Sequence, residues 1–410
     1  MNFIINSNFR RHILKTFRFF SALALLTSFN LACAQSVPGV TDTEVKIGVH
    51  LSLSGPASFV GQGAKVGIAL AQAEINAKGG INGRKLVFNF VDDRGSPDGG
   101  VTAARKLVDE ENTFIVLGSG TSSSTVPVLP YFERNGVPYY VSLASDPQVM
   151  GKFRRNVYSG ATSTQVVWGT SMAKFVNDKF KPKRVAMMQC DQAHCISGVP
   201  LVKGMLQTGG AEVSVVTYNS GDTDFTGQVQ QMKSFNPDVV FIYGLASDGG
   251  RILPQVRRAG INAAIVGDPA LGDPSVARMA GSAAENFHTF WSGGTQFIDD
   301  KTGPMGQWLT ALDKFSIERP ANTPNTYSTM LYADVYVIAE GIRLAGKNLT
   351  RDAFMTNLDT KINGFVAGKT PEWNFASPVG FPRTFSPTDH LGNRSLQALI
   401  SVGGVFKPVK

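Results

Sequence analysis

A row of hydroxyl side chains follows a strongly apolar run in the first half of the chain. The run 114–117 is typical of a strand buried on both faces of a parallel sheet, and Gly118 and Gly120 interrupt the pattern that follows it. Residues 122–125 can begin a new helix, whose first N–H groups and dipole favour negative charge. The pattern indicates a site for an anion of carboxylate size.

A second strand end carries the same residue types farther along the chain. Residues 137–141 are apolar and aromatic, and Ser142, Ser145 and Asp146 follow them. Either stretch alone is equally well explained by ordinary capping. Two such stretches in succession on neighbouring strands favour a binding cleft.

Cys190 and Cys195 are the cysteines that remain once the N-terminal Cys33 is set aside. An even number of cysteines in an exported chain predicts one short-range disulfide. The alternative is a metal pair completed by His194 and Asp191, although the sequence has no second ligand cluster.

No set of residues in the sequence assembles an acid, a base and a nucleophile. The five histidines are scattered, and the phosphate-loop, Gly-x-Ser-x-Gly and His-Glu-x-x-His motifs do not occur. The glycines of 61–67 look like a dinucleotide fingerprint with one residue too many, placed well past the strand end. We therefore predict a binding protein that is not an enzyme and needs no cofactor or metal.

Strand and helix patterns alternate along most of the chain, which predicts βαβ units and parallel sheets. The predicted strands are 44–51, 85–91, 114–117, 184–189, 212–218, 237–243, 264–266 and 395–401. The predicted helices are 62–77, 99–110, 200–208, 225–234, 249–259 and 327–345. With 410 residues, two domains are expected. The fold class is thus α/β, with two doubly wound parallel-sheet lobes whose ligands bind beyond the carboxyl ends of the strands.

Residues 1–34 have the pattern of a signal peptide. A basic segment precedes the apolar stretch 19–31, which is too short and too interrupted to span a bilayer. Removing the four basic residues of the leader lowers the formal net charge from +8 to +4, which does not suggest nucleic acid. Cys33 offers an alternative site for lipid attachment. However, Asn30 stands where lipoprotein signals usually carry leucine, so we expect a soluble exported protein.

Several segments resemble the periplasmic branched-chain amino acid (Leu/Ile/Val) binding proteins of ABC transporters, which have the type I periplasmic binding fold. The segments are 45–49, 53–56, 74–84, 92–97, 118–125, 223–225 and 327–340, of which 74–81 is the most specific. The resemblance implies two lobes joined by three hinge crossovers. It implies a first lobe of 42–160 plus 292–378 and a second lobe of 161–291 plus 379–410.

The resemblance also implies where the ligand binds. The family's carboxylate-binding serine falls on Ser122, with Thr121 beside it, and the next carboxylate contacts fall on the Ala144 backbone and on Ser145. Tyr327 matches an aromatic residue that faces the cleft, and Phe59 lies in the loop that covers the ligand from the first lobe.

Three positions depart from the family pattern. His194 stands where a cleft tyrosine is usual, and Ala246 replaces another cleft aromatic. The acid that pairs the ligand's ammonium becomes Pro269 in strict register, with Asp268 adjacent. Because a buried ammonium without a carboxylate is costly, two interpretations stay open. The ligand is either an aromatic or aliphatic acid, with Ala246 making room for its apolar body, or a hydrophobic amino acid paired with Asp268.

Together with the residue pattern, the resemblance implies a periplasmic, monomeric solute-binding protein for ABC import, which captures a small carboxylate-bearing ligand by hinge closure. Its partners would be ABC permease subunits at the inner membrane. The runner-up is a ligand-sensing receptor domain of the same fold that acts on a separate signalling chain.

Overall fold

The computed structural model describes residues 36–160, 162–292, 301–375 and 381–409. The predicted signal peptide, with Cys33, lies outside these ranges. Within them, no helix is both long enough and apolar enough to cross a membrane.

The described strands and helices alternate through most of the chain. The strands are β1 (Glu44–Leu51), β2 (Lys85–Asp92), β3 (Ile115–Gly118), β4 (Tyr139–Val141), β5 (Val157–Ser159), β6 (Arg184–Cys190), β7 (Glu212–Tyr218), β8 (Val239–Tyr243), β9 (Ala264–Gly267), β10 (Phe287–Trp291), β11 (Gln397–Val402) and β12 (Val405–Pro408). The α-helices are α1 (Ser58–Ala77), α2 (Pro97–Arg105), α3 (Ser122–Thr125), α4 (Leu129–Asn135), α5 (Gln165–Phe180), α6 (Ala193–Thr208), α7 (Thr226–Phe235), α8 (Ala246–Arg258), α9 (Pro274–Ala280), α10 (Gly303–Lys314), α11 (Thr326–Ala345) and α12 (Arg351–Lys361).

The strands form two sheets within the described ranges. Sheet I has the order β2-β1-β3-β4-β5 and is parallel throughout. Its central strand β3 is buried at every position, as expected for a strand covered on both faces. Sheet II has the order β12-β11-β10-β9-β8-β6-β7. It is parallel from β7 to β10, whereas β11 and β12 add antiparallel pairs at one edge. The predicted α/β class with two doubly wound lobes is confirmed.

Helix α11 packs closely against α1, which carries the glycine cluster at 61–67. A side chain at Gly67 would collide with the carbonyl oxygen of Ser328, and one at Gly63 would collide with the Asn325 side chain. These glycines therefore allow two helices to approach each other. This contact fixes the N-terminus of α11 next to the end of sheet I.

Helix α6 begins at Ala193 rather than at residue 200, so the predicted start is wrong. The residue pattern predicts a helix that begins at Pro200, but Pro200 lies inside the observed helix. A proline removes one N–H and disfavours an interior position without excluding it. The earlier start matters because the first turn of α6 carries His194 and Cys195.

Residues 381–392 pack against sheet I. Leu391 forms a parallel bridge with Ser159, and the His390 ring stacks on Tyr158 with a centroid distance of 4.0 Å. The sequence predicts that the chain passes into the second lobe after residue 378, but residues 381–392 still contact sheet I. The lobe boundaries stay a prediction.

Candidate functional site

A cavity lies where the carboxyl ends of strands from both sheets meet. It encloses about 590 Å³, part of it open to solvent. The side of sheet I contributes Val60, Thr121, Ser122, Leu143, Ser145, Tyr327 and Met330. The side of sheet II contributes Trp168, His194, Leu245, Asp268, Pro269, Ala270 and Trp291.

Ser122 presents a hydroxyl donor to this cavity. Its Oγ accepts hydrogen bonds from the backbone N–H groups of Ser145 and Asp146, both at 3.1 Å. Because both bonds use the oxygen as acceptor, the hydroxyl hydrogen is left to donate to a ligand. Thr121 caps the short helix α3 by accepting from the Ser124 N–H at 3.4 Å, which fixes Ser122 in the first turn.

Ser145 is held from the side of sheet II. Its Oγ accepts from Gln165 Nε2 at 2.9 Å, and its carbonyl accepts from the Gln165 N–H at 2.7 Å. Ala144 does not line the cavity, because its side chain is buried in the core beside Val141 and Val157. After the carboxyl end of β4, the cavity is therefore lined by the neighbours of Ala144, which are Leu143 and Ser145.

Asp268 supplies a buried carboxylate from the end of β9. It is only 1% exposed, and within the described part of the chain its Oδ1 has no hydrogen-bond partner. Burial raises its pKa well above the ordinary value, against the opposing effect of the Gly244 and Ala270 backbone N–H groups. The site therefore contains an acid that lacks a counter-charge.

His194 lies beside this carboxylate, with Nε2 at 3.8 Å from Asp268 Oδ2. Burial lowers the pKa of His194 to about 4, against a smaller opposing effect of the Gly244 backbone. The imidazole is therefore neutral at pH 7 and does not compensate Asp268.

The predicted disulfide between Cys190 and Cys195 is present, with a Cα–Cα distance of 5.6 Å. It connects the end of β6 to the first turn of α6 and so positions His194 at the cavity. The alternative prediction was a metal site that also included Asp191. In the structure, Asp191 Oδ1 accepts a hydrogen bond from the Ser220 N–H at 3.0 Å.

Six of the nine residues predicted to bind ligand line the cavity: Thr121, Ser122, Ser145, His194, Asp268 and Tyr327. Phe59 lies one layer away, with its ring edge-on to Tyr327 at a centroid distance of 5.9 Å. Ala246 is buried at the start of α8, and its neighbour Leu245 lines the cavity in its place. The binding role of all nine stays a prediction.

Two tryptophans that the sequence analysis missed form apolar walls. Trp168 comes from the first turn of α5 and Trp291 from the end of β10, and both are at least 96% buried. No local motif marks either residue. The alternation of strands could have pointed to Trp291, because it ends a strand of the same sheet as Asp268.

Direct hydrogen bonds join the two sides of the cavity. Asp273 Oδ2 accepts from the Thr326 N–H at 3.0 Å and from Thr326 Oγ1 at 2.6 Å. Its other oxygen accepts from the Ser275 N–H at 2.8 Å and caps α9. Ser123 Oγ accepts from the Ala193 N–H at 3.2 Å. In this structure these contacts bridge the two sides of the cavity.

Comparison with known proteins agrees with this architecture. A family model described as "Periplasmic binding protein" matches residues 44–398. The chain belongs to the periplasmic binding protein family. Members of this family are substrate-binding proteins of transporters and not enzymes, and the family implies a periplasmic location.

Among the relatives of this periplasmic binding protein is the "Leu/Ile/Val-binding protein homolog 3" of Brucella melitensis. It is 31% identical over 328 residues, covering 79% of this chain and 85% of the relative.

Solved structures share the fold. One is the branched-chain amino acid transporter substrate binding protein LivJ from Streptococcus pneumoniae in complex with isoleucine. It has a TM-score of 0.72, 22% identity and coverage of 90% and 99% of the two chains. Another is a fatty acid ABC transporter substrate-binding protein from Thermomonospora curvata, with a TM-score of 0.73, 17% identity and coverage of 92% and 94%.

Proposed function

We propose that this periplasmic binding protein captures an α-amino acid with an apolar side chain for ABC import. The observation that carries the proposal is the buried, unpartnered carboxylate oxygen of Asp268 in a cavity that also holds the Ser122 hydroxyl donor. A zwitterionic ligand satisfies both groups at once. Its ammonium pairs with Asp268, and its carboxylate accepts from Ser122.

Charge balance favours an ammonium over a second anion at this position. In the structure, burial favours the protonated form of Asp268, and neutral His194 offers no positive charge. A ligand ammonium supplies the missing charge and restores the ionised carboxylate. Asp268 thereby takes the role of the family acid that is replaced by Pro269.

The walls select the side chain of the ligand. Apolar and aromatic residues surround the rest of the cavity, chiefly Trp168, Trp291, Leu143, Leu245 and Met330. Such walls favour an apolar side chain through the area they remove from water. The names of relatives, Leu/Ile/Val-binding, support the same choice. The solved structures share the fold only, and their ligands include both an amino acid and a fatty acid.

The capture mechanism we propose is closure of two lobes over the ligand, with the lobe limits predicted from the sequence. Contacts that exist only when the lobes meet shift the equilibrium toward the closed state. The hydrogen bonds from Thr326 to Asp273 are of this kind, because α11 packs on the side of sheet I and α9 follows sheet II. We expect a monomer that delivers its ligand to ABC permease subunits.

A thermal-shift comparison of three ligands tests the proposal. The protein from Gln35 onward is heated with leucine, with 4-methylpentanoic acid, which lacks the amino group, and with 3-methylbutylamine, which lacks the carboxylate. Ligand binding raises the unfolding temperature by mass action. We expect a shift with leucine alone. An equal shift with 4-methylpentanoic acid would show that Asp268 does not bind an ammonium and would favour import of des-amino acids.

A further inference from the structure

Three side chains that commonly ligate metals converge at the end of β6, and Asp268 lies beside one of them. The donor atoms of Cys190, His194 and Cys195 all lie within 4.8 Å of one another. His194 Nε2 is 3.4 Å from Cys195 Sγ and 3.8 Å from Asp268 Oδ2. Ligands around a tetrahedral Zn²⁺ are separated by ~3.3 to ~3.8 Å, given metal–ligand distances of ~2.0 to ~2.3 Å. The two distances from His194 Nε2, to Cys195 Sγ and to Asp268 Oδ2, are close to those around a single ion.

We propose that reduction of the Cys190–Cys195 disulfide creates a Zn²⁺ site formed by Cys190, His194, Cys195 and Asp268. In the oxidised protein the two sulfurs are bonded to each other and cannot act as thiolate ligands. The site is therefore gated by the redox state of the disulfide.

The electron and proton balance is simple. A dithiol reductant transfers two electrons and two protons to the disulfide, so that the S–S bond breaks and two thiols form while the reductant becomes a disulfide. Binding of Zn²⁺ then releases the two thiol protons and forms two Zn–S bonds. His194 binds as the neutral imidazole and Asp268 as the carboxylate.

A second observation points to a ligand here, independently of the cysteines. Asp268 is 99% buried, and its Oδ1 has no hydrogen-bond partner within the described ranges. Asp268 comes from the end of β9, whereas the other three ligands come from β6 and α6. The site therefore joins two separate segments of the chain. Two sulfurs, one imidazole and one carboxylate form a donor set typical of Zn²⁺.

The site would regulate ligand capture, and this consequence rests on the proposed function. A metal ion bound to Asp268 occupies the carboxylate that we assign to the ligand ammonium. Reduced, Zn²⁺-loaded protein is therefore expected to bind leucine at least ~10-fold more weakly than oxidised protein, the size of one lost charge-assisted hydrogen bond.

Cobalt titration without any amino acid tests the site itself. The protein is reduced, freed of reductant under anaerobic conditions and titrated with Co²⁺, which replaces Zn²⁺ and absorbs visible light. We expect one Co²⁺ per chain, with thiolate-to-cobalt charge-transfer bands and the strong visible absorption of tetrahedral Co²⁺, in the reduced protein only. Zn²⁺ should displace the Co²⁺.

Variants separate this four-ligand site from a simple dithiol chelate. His194→Asn and Asp268→Asn should each weaken Co²⁺ binding by at least ~10-fold, whereas Asp191→Asn, a neighbour that is not a ligand, should leave it unchanged. Thiolate bands of equal affinity in the wild type, His194→Asn and Asp268→Asn would overturn the proposal.

Two further results would also overturn it. One is the absence of Co²⁺ binding by reduced protein that still unfolds cooperatively. The other is a reduced chain that lacks cooperative unfolding and does not regain it with the metal. The test of the proposed function uses leucine and oxidised protein, whereas the cobalt titration uses reduced protein without any amino acid. Failure of one therefore leaves the other interpretable.

Discussion

Asp268→Asn separates ligand recognition from fold stability, because the two properties should change in opposite directions. The substitution keeps the shape of the side chain and removes its negative charge. A ligand ammonium would then lose its counter-charge inside a buried cavity. The unliganded protein, in contrast, would no longer carry a buried carboxyl group whose Oδ1 has no partner within the described ranges.

The loss of affinity can be sized from the interaction removed. A hydrogen bond to a charged group contributes ~1.5–3 kcal/mol, so the dissociation constant for leucine should rise ~10- to ~150-fold. The lower end applies if water enters to solvate the ammonium. Asp248→Asn is the matched control, since Asp248 is also fully buried with a raised pKa, largely through burial, but does not line the cavity.

The effect on stability follows from the sign of the pKa shift. Burial raises the pKa of Asp268 in the folded state. The folded protein therefore holds this proton more tightly than the unfolded chain does. The stability that the protonated group contributes is fully present below the unfolded pKa and is lost as pH rises through the folded pKa. Asp268→Asn removes this loss, so the unliganded variant should be more stable than the wild type at neutral pH.

Isothermal titration calorimetry with leucine, and urea unfolding without it, measure the two effects. Calorimetry in buffers of different ionisation enthalpy should also show proton release on binding, because the ammonium restores the ionised form of Asp268. An Asp268→Asn variant that binds leucine as tightly as the wild type would refute the reasoning. So would a variant whose unliganded form is less stable at neutral pH, since that points to a structural role.

Three further substitutions test other parts of the structure. Ser122→Ala removes the hydroxyl donor and leaves the N–H groups of two residues without their acceptor, so leucine affinity should fall by ~1–3 kcal/mol in calorimetry; unchanged affinity would exclude a carboxylate contact. Thr326→Val removes one bond to Asp273 across the cavity, and scattering measurements should then show closure at higher leucine concentration, whereas Thr326→Ser should behave as the wild type. Arg383→Met leaves the buried Asp334 without its ion-pair partner, so urea unfolding should show a loss of ~3–5 kcal/mol; a loss as large in Arg383→Met/Asp334→Leu would mean that packing, not charge, is responsible.

The sequence predicted the parts of the fold that depend on local pattern. Buried strands are marked by continuous apolar runs, and the hydroxyls of Ser122 and Ser145 follow such runs within five residues. Since parallel strands present their carboxyl ends at one edge of a sheet, local order was enough to place these side chains near each other. The disulfide was predicted on a different ground, the even number of cysteines that remain in an exported chain once Cys33 is set aside.

The rest of the site depends on contacts between distant segments. Trp168 and Trp291 carry no motif, and they line the same cavity although they are far apart in the sequence. Ala246 is buried while Leu245 lines the cavity, a one-residue shift at a helix start that no residue pattern determines. The glycines at 61–67 have a spacing that looks like a nucleotide motif. Their role in packing α1 against α11 could not be predicted, because α11 is far away in the sequence.

The central claim is that Asp268 and Ser122 hold the two ends of an amino acid. A crystal structure of the mature protein with leucine measures this directly. We expect the leucine ammonium within hydrogen-bond distance of Asp268 and the leucine carboxylate within hydrogen-bond distance of Ser122 Oγ. An ammonium that contacts other groups, with Asp268 facing apolar ligand atoms or water, would contradict the account.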